Sequence, residues 1–207
     1  MVIRCQGMKL NHKDSEWKQG PMNQKQTVKL GQIAGLDVRV TPSAVVTVVL
    51  MAGGLFLLLY KLLKWRPWTA ITFGISATAI HYLSEFWHQF GHARAAEQTG
   101  FPMSGVTYVG PVGISQYPVN EGLLPAEIHV TRALGGPIFS LLLTLASGLL
   151  ALLMRPIGGL PLALAVFTFL DNLFVYTMGA LLPLGFTDGS TLLTWWDQRR
   201  GSGRISV

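Results

Sequence analysis

Long uncharged runs of apolar residues begin at residue 42 and constrain this chain more than any other feature of its sequence. The first run, PSAVVTVVLMAGGLFLLLY at 42–60, is close to the roughly 20 residues that cross the hydrocarbon core of a bilayer. Lys61, Lys64 and Trp65 follow it as the kind of belt that lies at a membrane interface. The chain is therefore predicted to be an integral membrane protein.

Three further membrane-spanning helices are predicted, over about 67–97, 133–154 and 161–184. Short strand-like runs stand at 31–40, 106–109 and 112–117, and the last two flank Gly110 and Pro111 as in a hairpin. The predicted fold class is a mainly α membrane protein with about four transmembrane helices and a small membrane-surface β-sheet.

Residues 1–29 are polar and show no apolar period, so they are predicted to form a flexible or peripheral arm. Its basic charge suits a solvated tail or anionic membrane lipids, and nucleic acid is not an expected partner. Cys5 is the single cysteine, so no disulfide forms within the chain. The membrane domain is predicted over 30–197, and a polar tail over 198–207.

The distribution of Lys and Arg predicts the orientation in the membrane. With four spans, the side that holds both termini carries 12 of the 16 Lys and Arg residues. Basic residues concentrate on the cytoplasmic side of membrane proteins. Both termini are therefore expected in the cytoplasm, with the spans in an inner or plasma membrane.

The second predicted span carries an ionisable stripe formed by His81, Glu85, His88 and His92. At 100° per residue these side chains fall within an arc of about 60°. Ionisable residues inside a membrane segment usually face the protein interior and have a function. The alternative is a buried, hydrogen-bonded stripe that only holds helices together.

His88 and His92 have the His-x-x-x-His spacing that presents two imidazoles to one metal ion, and a zinc site needs a third protein ligand. Asp188 is the best candidate, because it is expected at the end of the fourth span on the same side of the membrane. Asp171 comes about 17 residues earlier, roughly 25 Å away along the helix axis, and is interpreted as an interfacial or helix-pairing carboxylate. The remaining candidates are His12 and His129.

Three motifs together resemble the site-2 protease family of intramembrane zinc metallopeptidases. They are HQFGHARAAEQTG at 88–100, GGPIFSLLL at 135–143 and ALLPLGFTDGS at 180–190. The resemblance implies one zinc ion per chain, held by His88, His92 and Asp188. It also implies a transmembrane protein substrate or partner subunit, paired with an edge strand near Val112 and Ile114.

Two positions depart from the pattern of an active protease in that family. Gln89 stands where the family has a glutamate general base, a group worth about 10²–10⁴ in rate. Ala180 stands where the family has an asparagine suited to an oxyanion, and one such donor is worth about 10²–10³. The chain is therefore expected to be weak or inactive as a peptidase, with Gln89 at the catalytic position.

Several alternatives remain open at the level of sequence. Gln89 fits either an inactivating exchange or a natural pseudoprotease that serves as a binding or structural subunit of a membrane complex. Glu85 is interpreted as a hydrogen-bond partner of His81 or His88 rather than as a substitute base. A di-iron site needs a second Glu-x-x-His motif, which the chain lacks.

Overall fold

A computed structural model of the chain describes residues 27–201, and their side chains up to residue 196. Most of the predicted arm and the end of the predicted tail lie outside these residues. The helices and strands follow in the order β1 (Val28–Ile33), β2 (Leu36–Val40), α1 (Pro42–Leu57), α2 (Pro67–Gln98), β3 (Gly105–Val109), β4 (Val112–Gln116), α3 (Ala126–Met154), α4 (Gly159–Asp171) and α5 (Asp188–Gly201). The predicted mainly α fold with a small sheet is confirmed.

Within residues 27–201, three helices are long and apolar enough to cross a membrane. They are α1 with the π-helical turn that extends it (Pro42–Leu62), α3 (Ala126–Met154), and α4 with its π-helical extension (Gly159–Gly179). Many of their large apolar side chains point outward, as expected for surfaces that contact lipid. The second predicted span corresponds to α2, whose 32 residues also suffice in length. Its polar stripe lowers its hydropathy, and it packs against α1, α3 and α4.

Small residues let neighbouring helices approach α2 closely at two places. A Cβ at Gly74 would lie 2.6 Å from the carbonyl oxygen of Ala52, so α1 crosses α2 here in backbone contact. A Cβ at Gly91 would lie 2.3 Å from the carbonyl oxygen of Gly135 on α3. The second contact brings α3 against the half of α2 that carries His88 and His92.

The sheet has the order β1-β2-β3-β4, with β2 and β3 parallel and the two outer pairs antiparallel. The prediction of one strand over 31–40 is wrong, because the segment crosses a hairpin turn at Ala34 and Gly35. Both turn residues have positive φ, 51° and 82°, as a tight hairpin of this kind requires. The predicted hairpin around Gly110 is present, and apolar side chains of β2 and β3 pack on α2.

The last part of the chain differs most from the prediction. The π-helical extension of α4 ends at Gly179, and Asp188 begins the separate helix α5 instead of closing the fourth span. Pro183 and Gly185, whose φ is 90°, stand in the bend between them. A proline cannot continue the hydrogen-bond ladder, and a positive φ at glycine is typical of a chain that leaves a helix. Similarly, α3 begins at residue 126 rather than at about 133.

Candidate metal centre

Two histidines and one carboxylate meet where α2 and the start of α5 come together. His88 and His92 lie one turn apart on α2, and their Nε2 atoms are 3.0 Å from each other. The carboxylate of Asp188 lies 3.2 Å from Nε2 of His88 and 3.3 Å from Nε2 of His92. The possible ligand atoms of these three residues all lie within 4.8 Å of one another. The three side chains to which the sequence analysis assigns a metal therefore lie together.

Contacts from α3 orient both imidazole rings. Nδ1 of His92 lies 2.7 Å from the carbonyl oxygen of Arg132, which only accepts, so Nδ1 carries the proton and donates. Nδ1 of His88 lies 2.9 Å from Oγ of Ser140, which is fully buried. A metal-binding histidine usually donates its second N–H in this way, which leaves Nε2 free as the ligand atom.

A glycine on α3 leaves room at these ligand atoms. A Cβ at Gly136 would lie 2.4 Å from Nε2 of His92 and 2.5 Å from Nε2 of His88. Arg132, Gly136 and Ser140 recur every four residues and so form one stripe of α3 that faces the histidines. One helix face thus supplies an orienting carbonyl, open space and an orienting hydroxyl, in that order.

The donor set and its spacing fit a zinc ion. With bonds of about 2.0–2.1 Å, the ligand atoms of a tetrahedral site lie about 3.3 Å apart, close to the observed separations. Two Nε2 lone pairs at 3.0 Å repel each other unless a proton or a cation lies between them. Burial raises the pKa of the Asp188 carboxyl, but the two neighbouring imidazoles, His92 above all, lower that pKa to about 2. The carboxylate is therefore ionised at neutral pH, as a metal ligand must be.

No protein-family model matches the sequence, and no curated protein matches it significantly. Among solved structures, the chain is similar to the Site-2 Protease from Methanocaldococcus jannaschii, with a TM-score of 0.58 and 16% sequence identity. The similarity covers 87% of this chain and 74% of that chain. The chain has a site-2 protease fold. The fold that the three motifs predict is therefore confirmed.

Gln89, the residue that the sequence motif aligns with a general base, has an amide whose nitrogen and oxygen are both engaged in hydrogen bonds. Nε2 of Gln89 donates to Oε1 of Glu85 at 2.9 Å and to the carbonyl oxygen of Gly113 at 3.0 Å. Oε1 of Gln89 accepts from Oγ of Ser115 at 2.7 Å. Glu85 and Gln89 are 3% and 4% exposed, so water does not compete for these contacts.

The hydrogen bonds of Glu85 differ from those that the sequence predicts. Glu85 was expected beside His81 or His88, but its hydrogen bonds in the described part of the chain go to Gln89 and to the backbone N–H of Gly113 at 2.8 Å. The side chain leaves α2 toward β4 because the strand packs on that side of the helix. Ser140 and the carbonyl of Arg132 contact the two rings instead. The four-residue spacing of Arg132, Gly136 and Ser140 on α3 is the sequence signal that points to them.

His81 belongs to a second buried cluster. Its Nδ1 lies 3.1 Å from a carboxylate oxygen of Asp171, and its Nε2 lies 3.0 Å from the carbonyl oxygen of Pro111. The hydroxyl of Tyr176 donates to the backbone oxygen of His81 at 3.0 Å. Asp171 thus pairs two helices, as the sequence predicts, and the cluster ties α2 to α4 and to the hairpin rather than orienting His88 and His92.

Arg132 anchors the loops on the far side of the site. Its guanidinium pairs with the carboxylate of Glu121 and donates to the carbonyl oxygen of Phe101 at 2.6 Å. The guanidinium also lies 4.1 Å above the ring of Tyr117. Burial raises the pKa of the Tyr117 hydroxyl to about 12, so this side chain is neutral. The carbonyl of the same arginine accepts from His92, so Arg132 contacts both the loops and the imidazole of His92.

The predicted pairing strand near Val112 and Ile114 corresponds to β4. β4 lies at one edge of the sheet, as a partner strand would require. Val112 and Ile114 lie opposite Val109 and Thr107 of β3. Gly113, between them, turns its N–H and its C=O away from β3 and toward α2. In an antiparallel pair the outward-facing backbone groups alternate along the strand, so Val112 and Ile114 point inward.

Replacing Ser140 by alanine is expected to weaken zinc binding by about 10- to 100-fold, because His88 loses the partner that fixes its ring. Competition with a chromophoric chelator measures the change. Ser147→Ala is the matched control, since Ser147 is also buried on α3 but donates only within its own helix. Equal zinc affinity of Ser140→Ala and the unaltered chain would contradict the orienting role.

Proposed function

We propose that this chain binds one zinc ion at His88, His92 and Asp188 and is a site-2-protease-type metallopeptidase scaffold with little or no hydrolytic activity. The convergence of two Nε2 atoms on one carboxylate, with both rings held through Nδ1, is the observation that supports the metal. Zinc in such a site acidifies water and polarises a carbonyl group. The catalytic elements around it decide whether hydrolysis follows.

The residues around the site favour a slow or absent hydrolytic step. A general base must accept a proton, and the amide of Gln89 has no basic oxygen for it. Glu85 is the nearest carboxylate on the same helix, but its Oε1 already accepts from Gln89 and from the N–H of Gly113. Ala180 has no side-chain donor for an oxyanion. Asn172, the nearby amide, donates to Ser84 and to the carbonyl oxygen of Thr168 instead.

The second candidate function is a pseudoprotease that binds a partner as a subunit of a membrane complex. The hydrogen bonds of both the nitrogen and the oxygen of Gln89 favour this pseudoprotease function, because every polar atom of the amide has a partner. In either case the proposed partner is a protein with a transmembrane segment, and lipids surround α1, α3 and α4. The excess of Lys and Arg at the terminal side supports cytoplasmic termini in an inner or plasma membrane.

The metal content of the purified chain tests the proposal. After loading with zinc and removal of the excess, elemental analysis is expected to find about one zinc per chain. Asp188→Ala removes the only carboxylate ligand and is expected to lose most of that zinc on washing. Asp37→Ala, which removes a carboxylate on β2 outside the site, serves as the control. A loaded chain with no zinc, or full retention by Asp188→Ala, would refute the ligand assignment.

A further inference from the structure

The outer edge of β4 is not free at Gly113, because two side chains of α2 occupy its backbone groups. Glu85 accepts from the N–H of Gly113, and Gln89 donates to its C=O. We propose that Glu85 and Gln89 form an edge clamp, which closes β4 against strand addition at Gly113 and which requires an amide at residue 89. The clamp goes beyond the proposed function, since it needs neither zinc nor hydrolysis.

The register of the hairpin shows why Gly113 is the position that matters. Val109 and Val112 flank the two-residue turn, so they form the first pair of the hairpin, and Gly113 follows opposite Tyr108. In an antiparallel ladder every second residue points its N–H and C=O outward. An extended chain that added to β4 would need these two groups of Gly113. The edge clamp already uses both, in the donor and acceptor roles that a neighbouring strand would have.

The contacts of Gln89 discriminate between an amide and a carboxylate. Its nitrogen faces two acceptors, Oε1 of Glu85 and the carbonyl oxygen of Gly113. A carboxylate at residue 89 would turn an acceptor toward each of them and would add a second negative charge beside Glu85. Buried acceptors that face each other without a proton are strongly unfavourable. Residue 89 is therefore glutamine for a reason that lies in this protein's own packing.

The absence of a side chain at Gly113 makes the edge clamp possible. A Cβ there would lie 2.7 Å from Oε1 of Glu85 and 3.1 Å from Cγ of Gln89. Ser115 adds a third contact from β4 through its hydroxyl. The clamp thus ties two residues of the strand to one turn of α2, so that strand addition requires Glu85 and Gln89 to leave together.

Hydrogen–deuterium exchange of the full-length protein in detergent tests the edge clamp. In Gln89→Glu, the new carboxylate is expected to repel Glu85 from its place. The N–H of Gly113 then loses its buried, charge-assisted hydrogen bond to Glu85 and is expected to exchange about 10- to 100-fold faster than in the unaltered chain. Gln98→Glu makes the same exchange at the exposed end of α2 and is expected to leave this amide unchanged. Equal exchange in Gln89→Glu and Gln98→Glu would refute the clamp.

A double variant tests the pairing of amide and carboxylate. Glu85→Gln combined with Gln89→Glu restores one amide, one carboxylate and a single charge, so the exchange of Gly113 is expected to slow again. A double variant that exchanges as fast as Gln89→Glu would contradict the coupling of the two residues. If Gln89→Glu does not fold, Glu85→Met gives the same test, because it removes the acceptor of the Gly113 N–H and keeps the length of the side chain.

Zinc analysis of the same samples separates this inference from the proposed function. A chain that holds no zinc but protects Gly113 contradicts the metal site and supports the edge clamp. A chain that holds zinc but exchanges Gly113 rapidly, even with Gln89 in place, contradicts the edge clamp and leaves the metal site supported.

Discussion

Gln89→Glu alone is expected to leave the chain without measurable cleavage of a transmembrane substrate, whereas the double variant Glu85→Gln with Gln89→Glu is expected to gain about 10²–10⁴-fold. The single exchange conserves size, but its carboxylate faces Oε1 of Glu85 and the carbonyl oxygen of Gly113. It is therefore destabilised or held protonated, and neither state provides a base. With glutamine at residue 85, the new carboxylate has an amide donor and a single charge.

Cleavage of a fluorescently labelled peptide with one transmembrane segment, in detergent and with or without a zinc chelator, measures this result. Adding Ala180→Asn to the double variant is expected to contribute up to about 10²–10³ more if a donor for the oxyanion is also missing. If the triple variant remains inactive while it binds zinc, the pseudoprotease function is the better description. Chelator-sensitive cleavage by the unaltered chain at a rate typical of peptidases would refute the role given to Gln89.

Gly136→Ala is expected to reduce the zinc content from about one ion per chain to almost none without unfolding the protein. The added Cβ would lie 2.4 Å and 2.5 Å from the two Nε2 atoms. The rings have little freedom to move aside, since Arg132 and Ser140 hold them through Nδ1. Alanine is a better helix former than glycine by up to about 1 kcal/mol, so the helix itself does not suffer.

Elemental analysis together with a thermal unfolding curve separates these two effects. Gly53→Ala on α1 is the control, because no atom lies within 4 Å of a Cβ at that position. It is expected to retain zinc. Full zinc content in Gly136→Ala would mean that the metal does not bind at the Nε2 atoms of His88 and His92.

The sequence alone predicts the features that depend on local periodicity and on the membrane. The bounds predicted for the second helix differ from those of α2 by about one residue, because a proline opens it and a glycine follows it. His88 and His92 share a face of α2 because four residues make about one turn. The hairpin of β3 and β4 follows from strand-like runs on both sides of Gly110 and Pro111.

Contacts between distant parts of the chain were not accessible from local patterns. The sequence placed Asp188 at the end of the fourth span, but the bend after Gly179 assigns it to α5. It assigned Glu85 to the histidines, whereas the packing of β4 on α2 directs that side chain to Gly113. From the sequence, Gln89 is recognisable only as a residue that replaces a base. The acceptors of its amide include the carbonyl oxygen of Gly113, which is 24 positions away and which no local pattern connects to it.

The sequence by itself therefore determined a membrane protein of mainly α fold, with two histidines on one helix face and an amide between them where a base is expected. Only the tertiary structure decided which groups surround them. The close contact of Gly91 with Gly135 sets where α3 crosses α2, and with it the positions of Ser140 and the carbonyl of Arg132. Such crossings depend on side-chain packing between distant segments. The two hydrogen bonds to His88 and His92 join residues that are 52 and 40 positions apart. No periodicity within a single helix carries that information.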